Sequence, residues 1–418
     1  KGYPLYLIID EYDNFTNVIL SEHGQQMFHD LTHASGFYRE YFKQFKGMFD
    51  RIFMMGVSPV TLDDLSSGYN IDWNISVDPR FNAMMGFDET EVREMFHYYQ
   101  QNDMLNGDVE AMIAEMKPWY DNYCFARKSL DDDRVFNCDM TLYYLRWQVD
   151  FHRAPEEMVD KNIRTDYSKL KMLARIDRDS VQEGDRMSTI EKIAAEGDIF
   201  VDLHTSFPAE RITDIDNFRS LLYYYGLLTM CGTRGDLIKM SIPNNCVREQ
   251  YFGFLRDYYQ KYSSIDLHYL NVMLTDMAYD GRWKPFFESV AQAYRENSAV
   301  RDAMEGERNL QGFLKAYLAL ASYYLVEPEL EMNYGYCDFF LLPDKKRYPD
   351  VKHSYILELK YATRTATDAE LEVQALEGRN QLLQYSEDKI VRCLSEGTTL
   401  HRLLLQFRGW DLVRCEEV

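Results

Sequence analysis

The sequence lacks both the long apolar runs of membrane proteins and the paired cysteines of disulfide-rich proteins. Its longest apolar stretch, residues 314–326, is interrupted by Lys315 and is shorter than the ~20 residues that a membrane span needs. The seven cysteines are scattered and form no Cys-x-x-Cys pair, which argues against a disulfide framework or a structural zinc site. We therefore expect no transmembrane helix, no membrane partner and a reducing, cytoplasmic location.

Positive charge is also scarce. The chain has 46 Lys and Arg against 68 Asp and Glu, a net charge of −22. Affinity for duplex nucleic acid comes largely from Lys and Arg that neutralise phosphates, so sequence-blind binding over the whole surface is disfavoured. A local basic groove, or a divalent metal at a carboxylate cluster, stays open.

The remaining composition is that of a folded globular protein. Hydrophobic residues make up 46% of the 418 positions, and 24 Phe with 32 Tyr supply ample core. That length predicts two or three domains. No internal repeat and no low-complexity segment interrupts the chain.

Near its start, the sequence has an apolar run that ends in two acids. The run Tyr6–Ile9 resembles a buried parallel strand, and it leads into Asp10 and Glu11. This is the Walker B pattern, in which the first carboxylate binds Mg²⁺ and the second polarises an attacking water. A second apolar run, residues 51–59, contains Ser58, which would lie beside a γ-phosphate; the simpler alternative is a hydroxyl that satisfies a turn.

The phosphate-binding loop Gly-x-x-x-x-Gly-Lys-Ser/Thr is missing. The segments LYLIIDEYDN (5–14), FMMGVSPVTLDDLSSGYNI (53–71) and KPWYDNYCF (117–125) resemble the AAA-ATPase-like family of Bacteroidetes, whose members have a C-terminal nuclease-like domain. The resemblance implies a bacterial protein that uses ATP. Since the family places its Walker A loop upstream of the Walker B strand, we expect this chain to lack that part and its ATPase not to work alone.

Helical signals dominate the middle of the chain. Asp88 and Glu91 form a capping-box pattern that starts a helical lid, and Asn122 stands where the AAA-ATPase-like family usually has Gly, which predicts a left-handed turn. The helical residues 218–228, followed by a predicted hairpin at 239–244, suggest a winged-helix-like module. Because the segment has no basic stripe, contact between domains is favoured there over nucleic-acid binding.

The richest chemistry lies near the C-terminus. Glu307 opens a predicted helix, and strands are predicted at 336–342 and 355–361. Strand periodicity places Glu358 and Lys360 on one face, where the lysine compensates a buried acid. If Asp338 on the neighbouring strand faces the same side, two carboxylates and one amine surround a site suited to Mg²⁺ or Mn²⁺. The alternative is a Glu358–Lys360 ion pair on a solvated sheet face.

Asp338, followed after about twenty residues by Glu358-x-Lys360, resembles the PD-(D/E)XK nuclease superfamily. The resemblance implies metal-binding and catalytic roles for these three residues, and further roles for Glu307 and for Gln381 on the following helix. The sequence of residues 400–418 resembles the last strand of that domain. The chain departs from the pattern at Cys337, where the superfamily name has Pro, and at Gly335-Tyr336, where the family has Gly-Arg.

These patterns predict an α/β protein of four regions. They are the C-terminal part of an AAA-type P-loop sheet (1–87), a helical lid (88–150), a mostly helical, winged-helix-like middle (151–290) and an α/β restriction-endonuclease-like domain (291–418). The predicted activity is Mg²⁺-dependent phosphodiester hydrolysis, with metal at Asp338 and Glu358, regulated by ATP and Mg²⁺ at Asp10 and Glu11. The expected partner is nucleic acid, DNA rather than RNA, and a homo-oligomer is possible.

Two alternatives to that activity stay open. In one, the chain is a non-catalytic scaffold whose assembly ATP switches. In the other, it is an ATPase that acts on protein partners, which the acidic surface suits.

Overall fold

The computed structural model describes residues 4–13, 41, 44–45, 48–57, 59, 73–132, 134–160, 183–207, 211, 214–260, 265–296, 306–321, 323–332, 335–345 and 347–418. The chain divides into two compact units. Unit 1 comprises Lys1–Thr189 and Asp198–Gln250, and unit 2 comprises Ile190–Gly197 and Tyr251–Val418. Across the described residues, no helix combines the length and the apolar character that crossing a bilayer requires.

In unit 1, β1 (Tyr6–Ile9) pairs in parallel with β2 (Arg51–Met54). The expectation that β1 is buried is wrong, because Tyr6 and Ile8 are 64% and 69% exposed. Alternate side chains of a strand point to opposite faces, and among the described residues only one face of β1 is even partly covered. The predicted membership of this pair in a P-loop sheet stays a prediction.

Three helices follow in unit 1: α1 (Glu89–Gln101), α2 (Val109–Tyr120) and α3 (Cys138–Phe151). The predicted capping box is confirmed, since the Asp88 carboxylate accepts from the Glu91 amide at 2.8 Å and the Glu91 carboxylate accepts from the Asp88 amide at 3.0 Å. Asn122 has φ +86°, which confirms the predicted left-handed turn. Aromatic side chains of these helices form the buried core between them: Phe96, Tyr120 and Tyr144.

A small antiparallel sheet closes unit 1. Helix α4 (Glu183–Glu196), which ends in unit 2, leads to β3 (Asp198–Val201), α5 (Ile215–Tyr224), β4 (Thr229–Arg234) and β5 (Leu237–Ser241). The strands lie in the order β3-β5-β4. The helix and hairpin are present as predicted, but the hairpin is β4–β5, which turns at Gly235 with φ +64°, and residues 239–244 contain only the end of its second strand.

Helices lead from there into the C-terminal sheet. They are α6 (Asn245–Tyr259), whose first residues belong to unit 1, α7 (Leu267–Asp280), α8 (Lys284–Glu296) and α9 (Glu307–Leu318). The described residues of this stretch, 247–300, are thus mostly helical. Helix α9 begins at Glu307, as its 3–4 apolar spacing predicts.

The described residues of unit 2 form a mixed sheet in the order β10-β9-β8-β7-β6. Its strands are β6 (Tyr324–Met332), β7 (Gly335–Pro343), β8 (His353–Ala362), β9 (Thr399–Arg408) and β10 (Asp411–Glu417). Neighbours are antiparallel except β8 and β9, which are parallel and joined through α10 (Asp368–Glu387) and α11 (Lys389–Leu394). This sheet is consistent with the predicted restriction-endonuclease-like domain, and the protein is of the mixed α/β class.

One face of this sheet is covered by α10. Ile356 of β8 and Leu404 of β9 pack with Ala375, Leu382 and Tyr385 of the helix. The prediction of a single strand over 400–418 is wrong: Gly409, with φ +60°, turns the chain into a β9–β10 hairpin. Strand β6 was not predicted at all. The boundaries of the four predicted regions stay a prediction.

Candidate active site

The central feature of unit 2 is an ion pair on β8. Glu358 and Lys360 lie on the face of the strand that α10 covers, as the period of two predicts. Lys360 Nζ is 2.7 Å from Glu358 Oε1. The side chain of Glu358 is 4% exposed and that of Lys360 is 18% exposed. The pair is therefore not on a solvated sheet face. This removes the premise of the alternative, in which the Glu-x-Lys pattern is an ion pair on a solvated face.

Asp338 lies on β7, the strand that pairs with β8. Its carboxylate accepts a hydrogen bond from the Leu359 backbone amide at 2.7 Å and one from Gln311 Nε2 of α9 at 3.1 Å. The first bond fixes Asp338 between the two residues that flank Leu359. The three predicted catalytic residues thus occur together, held by two strands and one helix.

The electrostatics of Glu358 are unusual for a carboxylate. Burial and then the nearby charge of Asp338 raise its pKa well above the ordinary value, although the ammonium of Lys360 opposes the shift. Its second oxygen, Oε2, is buried, and no described residue donates a hydrogen bond to it. An unsatisfied buried carboxylate oxygen costs free energy unless a cation, water or ligand occupies the position beside it.

Glu307 and Gln381 lie at the margins of this cluster. Desolvation and the charge of Asp338 raise the pKa of Glu307, and Lys360 lowers it, so Glu307 lies within electrostatic reach of both. Gln381 Nε2 of α10 is 3.5 Å from the hydroxyl of Tyr385, while its buried Oε1 accepts no hydrogen bond from any residue that the structure describes. Burial and then the charge of Glu358 raise the pKa of Tyr385, which places its hydroxyl near Glu358.

Sequence reasoning missed two residues of the site. Gln311 donates a hydrogen bond to Asp338. It lies four residues after Glu307, and this spacing places both side chains on one face of α9, which could have indicated its role. Gly378 lets α10 approach β8, because a Cβ there would lie 2.7 Å from Leu404 Cδ1 and 3.3 Å from Lys360 Cε. Nothing in the local sequence indicates that contact.

The other predicted site, in unit 1, is only partly described. Asp10 and Glu11 follow β1 directly and are exposed, and Glu11 has φ +51° with its amide bonded to Asp10 Oδ1 at 2.9 Å. Ser58 lies outside the described residues. Among the described residues near this site, Asp13 is a buried carboxylate that the sequence analysis did not select. It accepts a hydrogen bond from the Val57 amide and so links the segments that follow β1 and β2.

The fit of a divalent cation can be judged from the residues of unit 2. The described part of the chain contains no group of three His, Cys, Asp or Glu side chains placed to hold a metal. Mg²⁺ does not need such a cage, since it binds through one or two carboxylates and keeps several waters. Asp338 and Glu358, with the unsatisfied Oε2, fit that mode of binding.

Two comparisons with known families agree with this architecture. Residues 305–417 match the PD-(D/E)XK nuclease superfamily, and residues 1–66 match a family described as a predicted AAA-ATPase. Both resemblances noted from the sequence are thereby confirmed. The comparison with curated proteins gave no match.

Proposed function

We propose that the C-terminal domain hydrolyses phosphodiester bonds with a divalent metal, at Asp338, Glu358 and Lys360. One observation supports this most: a buried carboxylate, paired on one oxygen with Lys360 and unsatisfied on the other, adjoins a second carboxylate in a domain that matches a nuclease superfamily. Glu307 and Gln381 are proposed as further contacts to metal-bound water or substrate.

In this proposal, Asp338 and Glu358 hold Mg²⁺ or Mn²⁺. The metal, when bound, polarises a phosphate oxygen and lowers the pKa of a bound water. Lys360 favours the ionised form of Glu358 through their ion pair, against the effect of burial, and its ammonium is proposed to stabilise negative charge on the phosphate. Gln311 and the Leu359 amide fix the orientation of Asp338, as outer hydrogen bonds do for metal ligands generally.

The N-terminal region is proposed to be an ATP-dependent regulator of this activity. Asp10 would hold the Mg²⁺ of ATP, Glu11 would polarise water, and Ser58 would contact the γ-phosphate. The match of residues 1–66 to a predicted AAA-ATPase supports the module. The coupling between the modules, the preference for DNA, the cytoplasmic location and the homo-oligomer are parts of the same proposal.

A Mn²⁺ titration followed by electron paramagnetic resonance tests the metal centre. We expect binding that Asp338→Asn and Glu358→Gln both weaken, whereas the exposed Glu377→Gln on α10 removes the same charge and leaves binding unchanged. Equal affinity in all four proteins would contradict the proposal and favour the scaffold. An ATPase that acts on protein partners would instead show itself by nucleotide hydrolysis without nuclease activity.

A further inference from the structure

A stacked pair of Arg364 and Trp410 lies at the same end of the sheet as the ion pair. The guanidinium of Arg364 lies over the ring of Trp410, with its central carbon 3.0 Å from the ring centroid. Arg364 is exposed and Trp410 is half-buried. A planar cation on an indole face is an attractive pair, and the stacking orients the guanidinium.

The fold places this pair at the end of β8 that contains Lys360. Strand β8 ends at Ala362, and its carbonyl accepts from the Gly409 amide at 2.8 Å, so the turn that presents Trp410 adjoins the end of β8. Arg364 follows Lys360 by four residues, which span at most about 14 Å. Gly409 has φ +60°, which favours glycine, and a Cβ there would also lie 2.5 Å from Arg364 Cγ.

Three arginines near this end of the sheet are bound to carboxylates. Arg408 pairs with Asp368 at 3.1 Å, Arg379 with Glu416 at 2.7 Å, and Arg414 with Glu372. Binding to a duplex relies on several cations that neutralise phosphates. The chain, with a net charge of −22, offers little of that here, whereas stacking of a base on an aromatic or guanidinium plane does not depend on many cations.

We propose that Arg364 and Trp410 form a stacking platform for an unpaired base next to the scissile phosphate, so that the substrate is single-stranded nucleic acid or a frayed end. This inference rests on the proposed nuclease function. Every base has a π-face, so the platform selects unpaired strands without selecting sequence. A base pair within a duplex hides both faces of its bases in the helical stack and cannot use the platform without being opened.

Fluorescence anisotropy with the whole chain in EDTA, where no divalent metal is present to support hydrolysis, tests the platform. The probes are a labelled 15-nucleotide single strand, its 15-base-pair duplex and an abasic strand with the same phosphates. We expect the single strand to bind more tightly than the other two. Trp410→Leu and Arg364→Ala should each weaken single-strand binding by about 5-fold or more.

Two further variants separate stacking from charge. Arg364→Lys keeps the charge but loses the planar fork, and should weaken the single strand more than the abasic strand. Arg392→Ala removes an exposed arginine of α11 and should change nothing. Equal affinity for the three probes, no measurable binding, or variants indistinguishable from Arg392→Ala would overturn the inference.

The nuclease proposal is tested separately by cleavage that requires Lys360. Such cleavage without any strand preference would overturn the platform and leave the nuclease intact. Trp410-dependent binding of single strands without cleavage would support the platform and contradict the nuclease proposal.

Discussion

Lys360 Nζ and Glu358 Oε1 are joined at 2.7 Å on a strand face where only 4% of the Glu358 side chain is exposed. The two charges depend on each other there, because a buried carboxylate without its cation loses more solvation than the protein returns. The same dependence leaves the second Glu358 oxygen available beside Asp338. The ion pair is therefore both a structural element and the base of the proposed metal centre.

Breaking this pair from one side should destabilise the fold. At pH 8 we expect Lys360→Met to lower the free energy of unfolding by about 3–5 kcal/mol, since Glu358 is left buried without its cation. The double variant Lys360→Met/Glu358→Leu should recover most of that loss, because it removes both charges. Urea denaturation of the four proteins of the cycle measures the coupling. A double variant as unstable as Lys360→Met would show that the pair has no such role.

Gln311 should act on metal binding through Asp338. We expect Gln311→Met to weaken Mn²⁺ binding by about 10- to 100-fold, the usual loss when a hydrogen bond that orients a metal ligand is removed. Gln292→Met on α8 is a matched change that breaks an exposed contact with Glu296, and it should bind Mn²⁺ normally. Normal binding by both variants would show that the Leu359 amide alone positions Asp338.

Two helical glycines should respond to alanine with opposite signs. At Gly312 of α9 the nearest atoms to a new Cβ are 3.7 Å away, so alanine should raise the free energy of unfolding by up to about 1 kcal/mol through helix propensity. At Gly378 the 2.7 Å contact with Leu404 should outweigh propensity and cost about 1–3 kcal/mol. Because Gly378→Ala also presses on Lys360, cleavage should fall in that variant only. Thermal unfolding of both variants checks the signs, and equal effects would contradict the packing argument.

Glu191 gives a pH dependence of stability. It is buried in unit 2, accepts from the Tyr259 hydroxyl at 2.8 Å, and burial raises its pKa from 4.5 to about 7. The folded state therefore binds the proton more tightly than the unfolded state. The free energy of unfolding should fall as pH rises from about 4.5 to about 7, by roughly 3 kcal/mol from this group.

Glu191→Gln removes that titration and is the direct check on it. Relative to the parent chain, the variant should gain stability at pH 8 compared with pH 4.5 in urea denaturation. The difference between the two proteins isolates the contribution of Glu191 from those of all other titrating groups. A constant difference across this pH range would show that Glu191 titrates normally.

Sequence patterns were sufficient where one element decides the outcome. The parity of Glu358 and Lys360, the start of α9 at Glu307 and the capping box of Asp88 all depend on local spacing, and the structure agrees with each. Strand β6 was not predicted because Pro328 lies within its sequence, and proline argues against a central strand. In the described sheet β6 is an edge strand, which is where proline is tolerated.

Other features depend on contacts between distant parts of the chain. Gln311 meets Asp338 across 27 positions, and Gly378 is needed only because Leu404 and Lys360 lie beneath it. The turn at Gly409 was hidden by apolar residues on both sides, which resemble one continuous strand. The exposure of Tyr6 and Ile8 likewise depends on which elements cover β1, and a short apolar run does not encode that.

Cleavage itself tests the central claim most directly. Single- and double-stranded DNA and RNA are incubated with Mg²⁺ or Mn²⁺ and with the parent chain, Lys360→Ala, Asp338→Ala or the control Glu377→Gln. The account predicts metal-dependent products from the parent and the control, and at least a hundredfold less from the other two. Cleavage that survives both Lys360→Ala and Asp338→Ala, or no cleavage by any protein with either metal, would contradict it.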